Sequence, residues 1–331
     1  MSAIEATAQA VVQAGGEPAT RLMAELEQRL EELATGHGRL LARYAGETIA
    51  AGGKRLRPLL LFLAAGAPPP ESPALLRSAV SVELIHSATL VHDDVLDGSA
   101  LRRGRPTVLA TGGRLAATAT GDLLFSRAFA ELVRSRSTAA VRVLSRAASE
   151  LAAGELMQRA DAWQAVAIDR YLERCRLKTA ILFRAACELG AIESEEPGAG
   201  PGGPLVSVLA DFGERIGLAF QLLDDVLDVS GPPERTGKPQ GADLLDGTVN
   251  LPLIVARDRD PRLRRIDLRS IRTAEQAAAV CARIIDTGAL EVGRARALDL
   301  VALAKDSLPD LPLRQRDALA LIADGVVERY S

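Results

Sequence analysis

Two short acidic segments have the residue types and spacing best suited to chemistry in this chain. Residues 93–97 and 224–228 both read Asp-Asp-Val-Leu-Asp, and each ends an apolar run with helical spacing. The first and fifth residues of this pattern lie on one face of a helix, where their like charges repel unless a cation binds. One copy alone would equally fit a solvated acidic helix end, but two copies in apolar surroundings favour a binding site.

The ion that best fits these carboxylates is Mg²⁺. No cluster of Cys or His accompanies either segment, and oxygen ligands alone are typical of a hard cation. Mg²⁺ held by few carboxylates usually completes its coordination shell with water and substrate phosphate. The pattern therefore predicts a diphosphate bound through Mg²⁺ between two facing helices.

Basic residues accompany the acidic segments. His86 lies seven positions before the first segment and so on its helical face; it is a core histidine or a ligand contact, and the alignment favours the contact. Residues 52–58 read GGKRLRP and residues 101–107 read LRRGRPT. Each run alone fits a solvated turn, but together they favour phosphate. Two further lysines, Lys178 in an apolar helix and Lys238 in a Gly/Pro-rich segment, need an anionic partner, and a phosphate would supply one.

The elements that must position these residues are helices. Ala and Leu are abundant, aromatic residues make up 3% of the chain, and apolar residues recur with helical spacing, which predicts an all-α fold. Residues 230–252, rich in Gly and Pro beside the second acidic segment, are typical of a functional loop. We expect one domain over residues 1–331, with a weakly structured lead-in over 1–20. Helices are predicted over residues 18–33, 38–51, 73–97, 114–134, 137–160, 168–190 and 205–229, with another opening near Pro58 and a connector over 193–204.

Composition and charge exclude several classes of protein. The net charge of −3 gives no reason to expect nucleic-acid binding. No signal-peptide pattern is visible, and the longest apolar stretch, residues 59–67, is too short to span a membrane. The three cysteines lack metal-ligand spacing and fit small core residues in a reducing compartment. We therefore expect a soluble cytoplasmic protein without a transmembrane segment.

Six motifs together resemble the trans-isoprenyl (polyprenyl) diphosphate synthases. They read GGKRLRP, ELIHSATLVHDDVLD, LRRGRPT, KTA, FQLLDDVLD and GKPQGADL, and they occur in the order typical of that family. The resemblance implies an isoprenoid-synthase-type helical bundle around a deep central cavity, usually as a homodimer. It also implies head-to-tail condensation of isopentenyl diphosphate with an allylic diphosphate, dependent on Mg²⁺.

The resemblance also assigns roles to matching residues. The Mg²⁺ ligands of the two acidic segments match Asp93, Asp97 and Asp224, with Asp94, Asp225 and Asp228 as supporting or water-mediated partners. The isopentenyl diphosphate site matches Lys54, Arg57, His86 and Arg103. The allylic diphosphate site matches Arg102, Lys178, Thr179, Gln221 and Lys238, of which Lys178, Thr179 and Gln221 are also expected to act in catalysis.

One motif departs from the family pattern. The family often has a Lys in a segment like E-G-K-x-T-L-P, where this chain has Thr248, and the following Thr is replaced by Asn250. The change removes one expected contact to the allylic diphosphate. Because both acidic segments and the other basic positions are intact, we expect activity to be retained.

Residues near the first acidic segment bear on product length. Short-chain relatives often place Phe or Tyr about one turn before it, where this chain has the small residues Ala88 and Thr89, with Ile85 and Val82 deeper on the same helix. We therefore expect a long-chain product, beyond geranylgeranyl. Phe125 or Phe129 on another helix could close the tunnel instead, which would give a short-chain enzyme.

Two further alternatives stay open. A class I terpene cyclase also uses a D-D-x-x-D cluster with Mg²⁺, but normally pairs it with a different second motif. A non-catalytic subunit of a heteromeric synthase should lose an acidic segment or the basic residues, and this chain keeps both.

Overall fold

The protein is built almost entirely of helices. The computed structural model describes residues 3–34, 38–66, 72–102, 104–231 and 239–328, with only the backbone described for residues 3–9, 40, 41 and 328. Over these ranges one two-stranded hairpin interrupts the helices, so the predicted all-α fold class is confirmed.

The elements follow one another with short connections. The N-terminal helices are α1 (Ala3–Ala34), α2 (Arg39–Ala50), α3 (Leu56–Ala65), α4 (Pro73–Asp97), α5 (Val108–Val133), α6 (Thr138–Asp161) and α7 (Ile168–Cys175). A π-helical turn (Arg176–Ala180) leads into α8 (Ile181–Ile192), α9 (Pro204–Ser230), α10 (Ala242–Asp246), α11 (Leu251–Arg259) and α12 (Pro261–Arg265). A 3₁₀ turn (Leu268–Ser270) precedes α13 (Ala274–Asp286), α14 (Ala289–Asp306) and α15 (Leu313–Glu328). The hairpin pairs β1 (Leu101–Arg102) antiparallel with β2 (Arg105–Pro106).

The chain forms two compact units. The first comprises Met1–Ala148, Leu182–Gly213 and Ser307–Gly325, and contains the first acidic segment with its basic neighbours. The second comprises Ser149–Ile181, Glu214–Asp306 and Val326–Ser331, and contains the second acidic segment and Lys178. The expectation of a single domain over residues 1–331 stays a prediction.

Helix α4 forms the core of the first unit and packs along α5. It begins at Pro73, where the missing N–H costs nothing, and ends at Gly98, whose φ of 67° lies in the left-handed region. Ser81 Oγ donates to the carbonyl oxygen of Ala128 at 2.8 Å and so ties the two helices together. Near the acidic segment, a Cβ on Gly121 would lie 2.2 Å from His92 Nε2, so only glycine allows this close approach.

Helix α4 is also long and apolar enough to cross a membrane by length and composition alone. However, 67% of its most apolar stretch is buried inside the protein. Core helices of soluble proteins pass the same test, so the burial identifies α4 as a core helix.

The second unit contains the largest departure from the predicted helices. We expected one helix over residues 168–190, but the π-helical turn separates α7 from α8. The turn packs on α6, where a Cβ on Gly154 would lie 2.7 Å from the backbone nitrogen of Lys178. π-helical turns are rare and often occur at functional sites, and this one contains Lys178 and Thr179.

Two further expectations need correction. The lead-in over residues 1–20 is helical from Ala3, because its Ala-rich sequence favours helix. The loop after the second acidic segment contains the short helix α10.

Two predicted helix starts, at residues 18 and 114, coincide with kinks. Gly16 inside α1 has a φ of 78°, and Gly113 inside α5 has a φ of 75°. Each helix therefore extends before the predicted start, with α5 beginning at Val108, but its regular part follows the kink.

Candidate active site

The first acidic segment ends α4 and places its carboxylates in different surroundings. Asp94 is buried, Asp93 is half-buried and Asp97 is exposed. Arg102, on strand β1, donates from Nε to Asp94 Oδ1 at 2.8 Å. The middle aspartate is therefore held by the protein, while the two outer aspartates are the more accessible to a ligand.

A cavity of about 330 Å³ lies beside this segment, lined by α2, α4, the hairpin and the start of α5. Three predicted site residues line it, His86, Asp94 and Arg102. Its volume lies at the lower end of the range for small-molecule sites. The structure thus brings one residue predicted for each diphosphate, together with one aspartate, to a single cavity.

Arginines dominate the charge of this cavity. Arg43, Arg55 and Arg102 each form an ion pair with one lining carboxylate, at 2.8, 2.7 and 2.8 Å respectively. Arg105, which also lines the cavity, donates to the carbonyl oxygen of Ala50 at 3.2 Å. Since each of the three lining carboxylates has an arginine and Arg105 adds a fourth cation, the cavity favours an anion.

Two further residues predicted for isopentenyl diphosphate, Lys54 and Arg57, lie outside the described cavity lining. Lys54 is half-buried just before α3, and the guanidinium of Arg57 lies over the ring of Phe183 at 4.4 Å from its centre. Arg103 lies outside the described residues, as does Lys238 from the predicted allylic site. Their roles stay predictions.

The second acidic segment repeats the arrangement of the first. Asp225 is buried, whereas Asp224 and Asp228 are half-buried. Tyr171 donates from its hydroxyl to Asp225 Oδ2 at 2.6 Å, and Gln221 donates from Nε2 to Asp225 Oδ1 at 2.7 Å. Again the middle aspartate is held by neighbours and its two companions are more accessible.

The hydrogen bonds continue to the π-helical turn. Thr179 donates from Oγ1 to Gln221 Oε1 at 2.6 Å, so the two residues predicted to face the allylic group do lie together. Because the hydroxyl hydrogen of Thr179 is directed to Gln221, its oxygen lone pairs stay available as acceptors. Lys178, beside it, forms a 2.6 Å ion pair with Glu155.

A further aspartate approaches the second acidic segment. The backbone N–H of Asp243 lies 3.4 Å from both carboxylate oxygens of Asp228, and Asn250 donates from Nδ2 to Asp243 Oδ2 at 3.2 Å. Asn250 also accepts from the N–H of Leu253 and so caps α11. The Asn that departs from the family pattern therefore caps α11, as a Thr also can, and provides an amide donor toward Asp243.

These contacts set the protonation of Asp225. Burial, followed by the negative charge of Asp243, raises the pKa of Asp225 to about 7, against the hydrogen bonds from Tyr171 and Gln221, which lower it. A bound cation would favour the ionised form of this carboxyl. Below about pH 7, metal binding to the second acidic segment should therefore compete with protonation of Asp225.

The metal-free protein is therefore expected to lose stability as the pH rises from about 4 to about 7. Asp225 ionises near pH 4 in the unfolded chain but at higher pH in the folded protein, so the proton favours folding below that range and its contribution is lost above it. The loss should be on the order of 1–4 kcal/mol. Urea denaturation in EDTA at several pH values measures it. The Asp225→Asn variant should have a flatter pH dependence, and a wild-type curve parallel to that of the variant would contradict the assignment.

The carboxylates fit Mg²⁺ by their donor chemistry. In the described part of the chain, no three His, Cys, Asp or Glu side chains form a ready-made metal cluster. Mg²⁺ commonly takes only one or two carboxylates and completes its shell with water and substrate phosphate. The more accessible aspartates, Asp93 with Asp97 and Asp224 with Asp228, suit such binding.

The residues predicted to set product length lie on α4. Val82, Ile85 and Ala88 are fully buried, whereas Thr89 is half-buried and donates to the carbonyl oxygen of His86 at 2.8 Å. Phe125, the predicted alternative floor, stacks on His92 with ring centres 5.8 Å apart. Of the four predicted α4 positions, Thr89 is therefore the one whose side chain is partly accessible.

Sequence reasoning missed several residues that shape the site. Arg55 lies inside GGKRLRP and Asp243 inside GADL, so both were in recognised motifs but received no role. Tyr171 and Glu155 lie outside the motifs and contact the site only through the fold. Nothing in the sequence around Tyr171 indicates that its hydroxyl binds Asp225, 54 residues away.

Comparisons with known proteins identify the family. A sequence profile described as Polyprenyl synthetase matches residues 39–287. "Heptaprenyl diphosphate synthase component 2" of Bacillus subtilis is 34% identical over 307 residues, covering 92% of this chain and 87% of that protein. The geranylgeranyl diphosphate synthase of Methanosarcina mazei is 34% identical over 288 residues, covering 84% and 86%.

A solved structure agrees with these relatives. The polyprenyl synthase of Caulobacter crescentus, crystallised with calcium and isoprenyl diphosphate, superposes with a TM-score of 0.89 at 36% identity. The match covers 97% of this chain and 98% of the other. The resemblance inferred from six motifs is thus confirmed, and the chain belongs to the polyprenyl synthetase family, whose members include the trans-isoprenyl diphosphate synthases.

Proposed function

We propose that this chain condenses isopentenyl diphosphate head-to-tail with an allylic diphosphate, using Mg²⁺, to form an all-trans polyprenyl diphosphate longer than geranylgeranyl. The observation that supports it most is the repeated arrangement of the acidic segments. In each, the middle aspartate is buried and hydrogen-bonded, and the two outer aspartates are more exposed, which suits them to metal binding. Family membership supplies the class of reaction.

Isopentenyl diphosphate would bind on the first unit. His86, from the predicted site, lines the cavity, and the cavity's excess of arginines over carboxylates suits a diphosphate. Lys54, Arg57 and Arg103 complete the proposed set. Ammonium and guanidinium groups fixed on separate elements hold the anion so that its double bond is oriented toward the allylic carbon.

The allylic diphosphate would be held by acidic segments and basic side chains together. Asp93, Asp97 and Asp224 would hold Mg²⁺, with Asp94, Asp225 and Asp228 as supporting residues. When bound, Mg²⁺ stabilises the negative charge that grows on the departing diphosphate. Arg102, Lys178 and Lys238 would add fixed positive charge on the same group.

The allylic carbon becomes positive as its bond to oxygen breaks. The acceptor lone pairs of Thr179, oriented by its hydrogen bond to Gln221, suit that charge. Apolar side chains around the reacting carbon would have to exclude water, which would otherwise capture the cation. As the family resemblance implies, the departing diphosphate takes the proton released after the new carbon–carbon bond forms.

The small side chains before the first acidic segment support a long product. Neither Ala88 nor Thr89 fills space as Phe or Tyr would. A relative named for heptaprenyl diphosphate fits this proposal, whereas one named for geranylgeranyl diphosphate keeps a short-chain enzyme as the alternative.

Product size tests the proposal. Purified protein with Mg²⁺, labelled isopentenyl diphosphate and an allylic primer should release products longer than geranylgeranyl, resolved by chromatography. Thr89→Phe should shift the product to shorter chains because Thr89 is partly accessible, whereas Phe at the fully buried Ala88 would also overpack the core. A wild-type product of geranylgeranyl length or shorter would refute the long-chain proposal.

A second candidate is a subunit that needs a partner chain. The Bacillus subtilis relative is named as component 2, which favours this alternative to the proposed homodimer. Thr248, in place of the family Lys, points the same way. Turnover by the purified chain alone would exclude the need for a partner chain, and its mass in solution would then test the homodimer. Turnover only after adding a partner would decide for the heteromer.

A further inference from the structure

Arg55, in the middle of the basic segment 52–58, has unusual surroundings. Arg55 is only 7% exposed and lies just before α3. Its φ of 48° and ψ of 36° place its backbone in the left-handed region. That conformation is uncommon for a residue with a Cβ, and it persists only when surrounding contacts hold it. An arginine that only bound phosphate from the surface would need neither the burial nor the left-handed backbone.

Contacts to three other helices hold Arg55 in place. It donates from Nε and Nη2 to the carboxylate of Glu27 on α1, at 2.7 and 3.1 Å. Nη1 donates to Glu83 Oε1 on α4 at 2.7 Å, and Nη2 also donates to the carbonyl oxygen of Ile49 on α2 at 3.0 Å. Burial lowers the pKa of Arg55, but Glu27 and Glu83 outweigh it, so the guanidinium stays charged.

The position of Glu83 links this contact to the cavity. Glu83 is 3% exposed and lies one turn before His86 on α4, and Arg55, Glu83 and His86 all line the cavity. The planar guanidinium of Arg55 makes four hydrogen bonds from three separate nitrogens, including a bidentate pair to Glu27. A lysine ammonium has three donors on one nitrogen and cannot reproduce that forked geometry. The three contacts fix the backbone between Lys54 and Arg57 relative to α4.

We propose that Arg55 is a positioning residue, clamped by Glu27 and Glu83, that holds Lys54 and Arg57 in register with His86 for isopentenyl diphosphate. The inference rests on the proposed function for the identity of the ligand. It does not rest on that function for the clamp itself, which can be measured without turnover.

Two conservative variants test the clamp. Arg55→Lys keeps the charge but loses the fork, and Glu83→Gln keeps an acceptor but loses the charge. Each should raise the KM for isopentenyl diphosphate about tenfold or more, with little change in the KM for the allylic primer. Each should also speed amide hydrogen exchange within residues 52–58, in the absence of substrate.

Glu131→Gln is the matched control. Glu131 is 1% exposed and forms ion pairs with Arg29, Arg77 and Arg134 in the same unit, at 2.6, 3.5 and 2.5 Å. It should lose a comparable amount of thermal stability without raising the KM for isopentenyl diphosphate or the exchange of residues 52–58. A stability loss shared by all three variants would then not account for the KM change.

The outcomes separate the two proposals. Unchanged exchange over residues 52–58 in both clamp variants would overturn the positioning role, as would a KM within twofold of wild type in an active enzyme. If the wild-type protein forms no product but the two clamp variants still exchange faster than it does over residues 52–58, the clamp is supported and the proposed reaction is refuted.

Discussion

Replacing Asp93 or Asp224 with Asn should lower kcat about a thousandfold, equivalent to about 4 kcal/mol of transition-state stabilisation. Each substitution keeps the size of the side chain but removes one charged oxygen proposed to hold Mg²⁺. Both residues are half-buried beside other carboxylates, so each substitution also reduces the repulsion between like charges on the helix. Steady-state kinetics over a range of Mg²⁺ concentrations, with circular dichroism as the check on folding, measures the effect.

Asp211→Asn is the matched control for Asp224→Asn. Asp211 lies on the same helix, α9, but its side chain is 48% exposed and pairs with Arg184 at 2.6 Å. Its loss should change kcat by less than about twofold, because surface ion pairs contribute little. Full activity in Asp93→Asn or Asp224→Asn would exclude the metal role of that aspartate.

The second large effect is expected on replacing Lys178 or Lys54, each of which should impair the use of a different substrate. Lys178→Gln should lower kcat/KM for the allylic diphosphate about a hundredfold, because a fixed cation beside the departing diphosphate is lost. Lys54→Gln should instead raise the KM for isopentenyl diphosphate, leaving the allylic KM near wild type. Initial rates with each substrate varied in turn distinguish the two patterns.

Glu155 provides the control for Lys178. Because Lys178 and Glu155 form a 2.6 Å ion pair, Lys178→Gln alone leaves a largely buried carboxylate with only its longer, 3.6 Å ion pair to Arg159. The double variant Lys178→Gln, Glu155→Gln removes both charges and should recover stability while the allylic defect persists. If the double variant recovered activity as well, the defect of the single variant would be one of folding, and the catalytic role of Lys178 would be wrong.

Helix α4 shows what sequence could predict. Its apolar spacing, the Pro at its start and the Gly at its end are local signals, and the structure confirms all three. The motif pattern also selected Thr179 and Gln221, which the structure places in hydrogen-bond contact. Such predictions succeed because neighbouring residues on one helix, or a motif seen as a whole, determine them.

The partners of the aspartates could not be predicted from the residues next to them in the sequence. The buried partner of Asp225 is Tyr171, 54 residues away in the chain, so only the fold shows which aspartate of the segment is held. The π-helical turn at Lys178 packs closely against Gly154 of α6, a contact that no local pattern in the sequence predicts. The left-handed backbone of Arg55 depends on acids from α1 and α4.

Calorimetry tests the central claim, that the acidic segments bind diphosphate through Mg²⁺. A non-reactive thio-diphosphate analogue of the allylic substrate is titrated into metal-free protein, with and without Mg²⁺, and into Asp93→Asn and Asp224→Asn. Binding should require Mg²⁺ and weaken at least tenfold in each variant. Equal affinity in EDTA, or in both variants, would contradict the claim.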